Sequence, residues 1–317
     1  MKHSTKTIQT LFGTVLPVLF VVGLAVNTMA QSVAMILFEG SGTLSAQRKA
    51  PSVSGLFTMN PDGSALAQLS NDSYARNPVW SPGQAYIAYQ QASPTGGSPT
   101  IYIMDAIGTL NGGRTFAVTQ GLVPAWSPDG TQLVFQGNDY NLYIVSVNPS
   151  AGTAGTPVLF APGGLHKYDP SWSPDGTSIA FERETSSSTS AVFTRSVSTG
   201  SEVQLPAPFA GVMMVPSWSA DSTQIAFVAV DSNNLGGIIC LANADGTNLR
   251  VLASYPNNVG ALSPTWSPDG TAIALQVQVP NGKRSFQNTI CRQDLTSGAF
   301  TLLTPATLSA GHPNWAP

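Results

Sequence analysis

Short runs of alternating apolar and polar positions recur along most of the chain. Gln132-Leu-Val-Phe135, Ser178-Ile-Ala-Phe181, Gln224-Ile-Ala-Phe227 and Ala272-Ile-Ala-Leu275 form one set. Ile101-Tyr-Ile-Met104, Leu142-Tyr-Ile-Val145, Ala191-Val-Phe-Thr194 and Gly237-Ile-Ile-Cys240 form a second. Such short runs, rich in β-branched and aromatic residues and bounded by Gly, Pro, Asn, Asp and Ser, predict strands rather than helices. Ser-Pro-Asp-Gly leads into the first set, with Pro suited to the second position of a type I turn and Gly closing it. Asn60-Pro-Asp-Gly63, Asn243-Ala-Asp-Gly246 and Ser198-Thr-Gly200 follow the second set. They lead to a fourth strand such as Val251-Leu or Thr301-Leu-Leu303.

The remaining strand of each unit carries a tryptophan. Pro78-Val-Trp80, Pro124-Ala-Trp126, Pro170-Ser-Trp172, Pro216-Ser-Trp218, Pro264-Thr-Trp266 and Pro313-Asn-Trp315 account for every Trp in the chain, at steps of 46, 46, 46, 48 and 49 residues. A period of about 40–50 residues with four strands per unit is that of a propeller blade. Proline cannot donate to a ladder, so it suits a strand with one free edge, such as the innermost strand beside the channel. Trp80, Trp126, Trp172, Trp218, Trp266 and Trp315 are expected as core wedges between neighbouring blades. The sixth motif stops at Pro317, before its own remaining strands. Ala34-Met-Ile-Leu-Phe38, Leu56-Phe-Thr-Met59 and Leu66-Ala-Gln-Leu69 supply them from the other end of the chain. The fold class expected is therefore all-β: a six-bladed propeller of four-stranded antiparallel blades, closed by pairing N- and C-terminal strands in one blade. Closure of this kind removes open edges.

Composition adds an address. Lys2 and Lys6 precede an apolar run from Leu11 to Val26, and Thr28-Met29-Ala30 supplies small residues for cleavage. Residues 1–30 read as a signal peptide and 31–317 as the propeller, which places the protein in the periplasm or outside the cell with no stable membrane insertion after cleavage. Only 9% of residues are charged, and loss of the two lysines takes the formal net charge from −3 to −5. Basic residues cluster no further than the pairs Arg48-Lys49 and Lys283-Arg284, so a nucleic-acid partner is not expected. Cys240 and Cys291 occupy the same strand position in consecutive blades, aligned with Thr58, Ile103, Ile144 and Thr194 elsewhere. Equivalent points of neighbouring blades are too far apart to bridge, so both thiols are expected free.

The unit Pro-x-Trp-Ser-Pro-Asp-Gly-Thr-x-Ile-Ala-Phe, followed by Ile-Tyr-Ile-Met-Asp and then Leu-Thr, resembles the WD40-like repeat of the TolB propeller family over residues 32–317. The resemblance is to the propeller alone; no counterpart of the α/β domain ahead of the family namesake's propeller is expected. It implies a binding protein of the cell envelope, since the namesake is a periplasmic protein that binds a peptidoglycan-associated lipoprotein. Related repeats occur in prolyl-oligopeptidase-type enzymes and oligogalacturonate lyases. No Gly-x-Ser-x-Gly elbow of the hydrolase type occurs in the chain.

Catalytic constellations are not evident. His166 and His312 precede Trp strands three blades apart, on opposite sides of the ring. Asp129, Asp175, Asp221 and Asp269 occupy the Ser-Pro-Asp-Gly turns or their variant, where Asp caps its own turn. The residues preceding the strand prolines are Asn77, Val123, Asp169, Val215, Ser263 and His312, with one acid among them. No metal or other cofactor is expected.

The turns after the Trp strands share one face of the disk with the turns before the fourth strands. The other face collects the long connections Gly40–Val53, Gln91–Thr100, Arg183–Ser190, Asp231–Gly236 and Val279–Gln287. Loops on a rigid frame are where binding concentrates. Tyr74, Arg76, Asn77, His166, Tyr168, Asp169, Met214 and His312 are the candidate ligand-face residues, with Lys167, Met213 and Tyr255 nearby. The reading is an exported, non-catalytic scaffold, expected to be a monomer, that engages a protein or cell-wall component. The alternative is a lyase-like, carbohydrate-active enzyme with a site at the channel mouth.

Overall fold

The computed structural model describes residues 35–44, 47, 50–162, 164–231, 237–254, 261–280 and 286–317. The signal segment 1–30, Arg48-Lys49, Tyr255 and Lys283-Arg284 lie outside the described residues.

Among the described residues the strands form six antiparallel sheets arranged as a propeller ring. Counted from the channel outwards, blade 1 is Ala75–Trp80, Tyr86–Gln91, Thr100–Asp105 and Thr115–Gln120. Blade 2 is Leu122–Trp126, Gln132–Gln136 and Leu142–Asn148, with Val158–Ala161 and the short Thr153–Ala154 both pairing with Leu142–Asn148. Blade 3 is Lys167–Trp172, Ser178–Ser186, Thr189–Ser196 and Glu202–Gln204. Blade 4 is Gly211–Trp218, Gln224–Asp231, Gly237–Asn243 and Arg250–Ser254, and blade 5 is Ala261–Trp266, Ala272–Pro280, Phe286–Asp294 and Phe300–Leu302. Blade 6 joins the two ends of the ring: Leu308–Trp315 pairs with Ile36–Gly42, followed by Val53–Met59 and Ala67–Gln68, and Trp315 lies opposite Ile36.

The core lies between sheets rather than at the axis. Ala88, Ile101 and Ile103 of blade 1 pack with Trp126, Leu133 and Phe135 of blade 2 in one such layer. All six tryptophans are buried, as the wedge role requires. Several also tie neighbours together by hydrogen bond. The Trp126 Nε1–H donates to the Val79 carbonyl (3.3 Å), Trp218 to that of Ser171 (3.0 Å) and Trp266 to that of Ser217 (3.1 Å). At the seam between blades 6 and 1, the Trp80 Nε1–H is buried with no partner among the described residues.

The Ser-Pro-Asp-Gly turns behave as their composition dictates. Asp129 Oδ1 accepts from Ser127 Oγ at 2.6 Å and from the Thr131 N–H at 3.0 Å. Asp221 and Asp269 repeat the pattern. The serine hydroxyl bonds, with the backbone donors, hold these carboxyls below the usual aspartate range.

Two sequence expectations need correction. Pairing places Cys240 opposite Phe227 and Cys291 opposite Leu275. The equivalent third-strand positions are Phe57, Tyr102, Tyr143 and Phe193, not Thr58, Ile103, Ile144 and Thr194. Those aromatics stack on Phe38, Tyr89, Phe135 and Phe181 with ring centroids 5.6–6.1 Å apart. The cysteines therefore replace the outer member of an aromatic pair. A one-residue register slip exchanges the two sheet faces, and apolar residues on both faces of these strands hid the slip. Both thiols are free and buried, and burial pushes them up to about 12.

The second correction concerns Arg183–Ser190. It is largely ladder rather than loop, with Arg183 opposite Ala191 and Glu184 opposite Ser190. Polar side chains accompany strand pairing that continues past the core there.

Deleting residues 312–317 should expose the inner edge of Ile36–Gly42 and remove one core tryptophan, at a cost of at least about 3–5 kcal/mol. Urea unfolding of the truncated chain checks this; an unchanged midpoint would contradict closure by this strand.

Candidate functional site

All six pre-proline residues sit in left-handed backbone: Asn77 (φ 50°), Val123 (47°), Asp169 (49°), Val215 (52°), Ser263 (50°) and His312 (47°). Each marks a register break at which the innermost strand carries one more residue than its partner, a β-bulge. Positive φ is uncommon for non-glycine residues and strained for a β-branched one such as Val123 or Val215. The bulge turns these six residues toward the axis. With the six prolines that follow them, they line a cavity of about 360 Å³ at the loop-side mouth of the channel. Val79, Ala125, Ser171, Ser217, Thr265 and Asn314 form the waist below, shared with a 370 Å³ hollow on the turn side that the tryptophans line.

The strained backbone is held by side chains from the preceding blade. The Asn77 N–H donates to Glu39 Oε2 at 2.8 Å, Val123 N–H to Gln90 Oε1 at 2.8 Å, and His312 N–H to Gln276 Oε1 at 3.2 Å. Glu39, Gln90 and Gln276 each follow the second-strand residue Phe38, Tyr89 or Leu275, and Gln136, Glu182 and Val228 take the same position elsewhere. Sequence reading missed this ring. The signal available was the residue immediately after the Ile-Ala-Phe run.

The candidate residues divide. Asn77, Asp169, Met214 and His312 line the mouth. Arg76 borders it, its guanidinium donating to the Ser73 and Ala75 carbonyls (2.8 and 2.7 Å) and lying 3.6 Å from Glu39. His312 Nδ1 is 3.2 Å from Glu39. Burial disfavours the His312 cation, but the hydrogen bond and charge of Glu39, helped by Asp169, raise its pKa above the usual histidine value.

His166 stands aside from the mouth. Its ring stacks on Tyr140 (4.3 Å between centroids), and Nδ1 is 3.2 Å from the Tyr168 hydroxyl and 3.3 Å from Glu184. The Tyr168 hydroxyl donates to Glu184 at 2.8 Å; burial, then this carboxylate, raises its pKa. Tyr74 is exposed outside the cavity wall. Lys167 and Met213 do not reach the face. Both are buried, and Lys167 Nζ is 3.4 Å from both the Leu165 carbonyl and Asn141 Oδ1.

The surroundings of the mouth are more acidic than its pre-proline residues alone suggest, because Glu39 contacts Asn77 and His312 and Glu182 lines the adjoining hollow with Asp169. Burial raises Asp169, with the His312 charge opposing. Burial, then the charge of Asp169, pushes Glu182 up to about 7. Among the described residues, no three His, Cys, Asp or Glu side chains gather closely enough to hold a metal ion.

A closed ring of six sheets, five of four strands and one with a short fifth, with a bulge-lined opening at its axis, defines a six-bladed β-propeller. Residues 40–222 match the family model described as the TolB beta propeller domain, and the chain belongs to that family. Similar solved structures include TolB from Acinetobacter baumannii (TM-score 0.68, 19% identity, covering 90% of this chain and 67% of that one). The putative TolB from Agrobacterium tumefaciens is also similar (0.61, 17%, 90% and 99%), as is a chain of a nidogen/laminin complex (0.63, 11%, 90% and 98%). At these identities the likeness is one of fold. No curated protein matches the sequence.

Two predictions follow from the mouth's chemistry. Gln90→Leu leaves the Val123 N–H without its acceptor and should destabilise the protein by about 1–3 kcal/mol, read by urea unfolding. A midpoint equal to the parent's would show that the clasp carries no stability. Glu182 has a folded pKa of about 7 against an ordinary 4.5. Its contribution to stability is thus fully present below about 4.5 and lost as pH rises through about 7. Glu182→Gln should raise the melting temperature at about pH 8, by on the order of 1–3 kcal/mol in stability, with little gain near pH 4. An equal change at both pH values would remove the titration argument.

Proposed function

We propose that this protein is an exported, non-catalytic scaffold that binds a protein or cell-wall component on its loop face, around the channel mouth. In this reading residues 1–30 are a cleaved export signal, 31–317 are the propeller, and the site of action is the periplasm or cell exterior. Among the described residues no helix is long and apolar enough to cross a membrane.

The observation that carries the proposal is the contrast between the two faces. The turn face repeats one small Asp-capped turn, whereas the mouth presents Asn, Val, Asp, Val, Ser and His at equivalent positions on a single rigid backbone. Varied side chains on a fixed frame are what recognition needs, and Arg, Tyr and Met are frequent anchors. Membership in the TolB propeller family supports the reading. So does the similarity to a propeller from a complex of two proteins, nidogen and laminin. The lyase-like alternative would require several histidine and carboxylate groups converging on one point; His312 lies 3.2 Å from Glu39, but among the described residues no three such groups gather closely.

Envelope extract passed over the immobilised protein supplies the test. Single alanine substitutions of Arg76, Tyr168 and Met214 should each reduce capture of the partner several-fold; Arg76 and Tyr168, outside the core, should leave the melting temperature within about 2 °C, whereas Met214, which packs against the layer between blades 4 and 5, should lower it more. Asp129→Ala should do the reverse, costing about 1 kcal/mol through the turn while capture persists. Capture that depends on Asp129 and not on the loop-face residues would overturn the proposal.

A further inference from the structure

Asp169 is partly buried at the channel mouth, and among the described residues its side chain makes no hydrogen bond or ion pair. It also walls a second hollow of about 380 Å³ beside blade 3, with Glu182, Glu184 and the Ser186–Ser190 tip. The basic groups of this sector are engaged elsewhere: Arg183 and Arg195 pair with Glu202 at 2.7 and 3.0 Å. Across the mouth, Glu39 holds both His312 and Arg76. A partly buried carboxylate without a partner is costly, and a charged partner would offset that cost.

The remaining wall decides which cation fits. Around Asp169 stand six prolines with Val123, Val215, Leu262 and Met214. A hard metal ion takes six or more oxygen ligands, and although hydroxyl and amide groups share this wall, among the described residues no three His, Cys, Asp or Glu side chains gather closely enough to hold one. A long aliphatic stem ending in a charge matches it along its whole length, because lysine and arginine lay their methylenes on apolar surface and carry the charge at the tip. Resting on the binding role proposed above, we infer that the channel mouth is a socket for a lysine or arginine side chain of the partner, with Asp169 as the counter-charge. Met214 and Leu262 grip the stem, and Glu182 and Glu184 bias the approach of a basic segment toward this side of the ring.

The experiment follows the methyl resonance of Met214 in protein labelled at methionine methyls. The probes are N-acetyl-lysine methylamide and the uncharged N-acetyl-norleucine methylamide. The lysine probe should bind about tenfold more tightly than the norleucine probe, the scale of one charge-assisted contact. Asp169→Asn should abolish that preference. Asparagine tolerates the left-handed backbone at φ 49°, so the substitution keeps the local fold. Asp129→Asn, on the turn face, should leave the preference intact. Equal binding of the two probes by the unsubstituted protein would overturn the socket without any variant, as would a preference that survives Asp169→Asn. If partner capture from extract still requires Arg76, Tyr168 and Met214 in that event, the loop-face reading stands and only the cationic socket fails.

Discussion

Everything in this molecule depends on one ladder, that between Leu308–Trp315 and Ile36–Gly42. Each blade buries its faces against two neighbours, so no blade is complete in a row that has ends. Pairing the two ends within a single sheet places the chain break inside a hydrogen-bonded unit, where strand pairing resists its opening. The fit at the seam is not perfect. Trp80 buries an indole N–H without a partner among the described residues, where three other tryptophans donate to the preceding blade. Other contacts cross the same seam: the Trp80 N–H donates to Asn314 Oδ1 at 2.8 Å, and Gln84 donates to the Pro317 carbonyl at 2.7 Å.

The mouth is a second consequence of ring geometry. Six strands converging on an axis must keep their pairing without filling the pore, and a bulge does this by adding one residue to the inner strand of each pair, with pairing resumed on both sides. The backbone strain this creates is met from next door, by Glu39, Gln90 and Gln276 accepting the otherwise unused N–H groups. Those same side chains are what make the mouth polar and, with Asp169 and Glu182, acidic. Cohesion between blades and the chemistry of the opening are carried by one set of residues.

Architecture was largely legible in the sequence because it is written six times. The Pro-x-Trp spacing, the alternating strands and the truncated last repeat suffice for the blade count and the mode of closure. What repetition does not reveal is the pairing register: the repeat alignment sets Cys240 and Cys291 one residue away from their paired positions, since apolar residues occupy both faces of these strands. Half of the candidate mouth residues, Asn77, Asp169, Met214 and His312, do line the cavity. His166, Lys167 and Met213 were near in sequence but not in space, because alternation sends neighbouring strand residues to opposite sides. Glu39 and Glu182 escaped notice because their significance lies in contacts to other strands, which no linear pattern displays.

The clasp seen at the Asn77, Val123 and His312 bulges fixes the backbone of the pre-proline residue through its N–H and leaves its side chain unspecified. That separation has a bearing on how such proteins diversify. Asn, Val, Asp, Val, Ser and His already share one conformation within a single chain, so exchanges among them change what the pore recognises without changing the frame that presents it. New specificity at the mouth can then arise one side chain at a time, in whichever blade a new partner happens to touch, while the hydrogen bonds that keep the ring together are conserved beneath it.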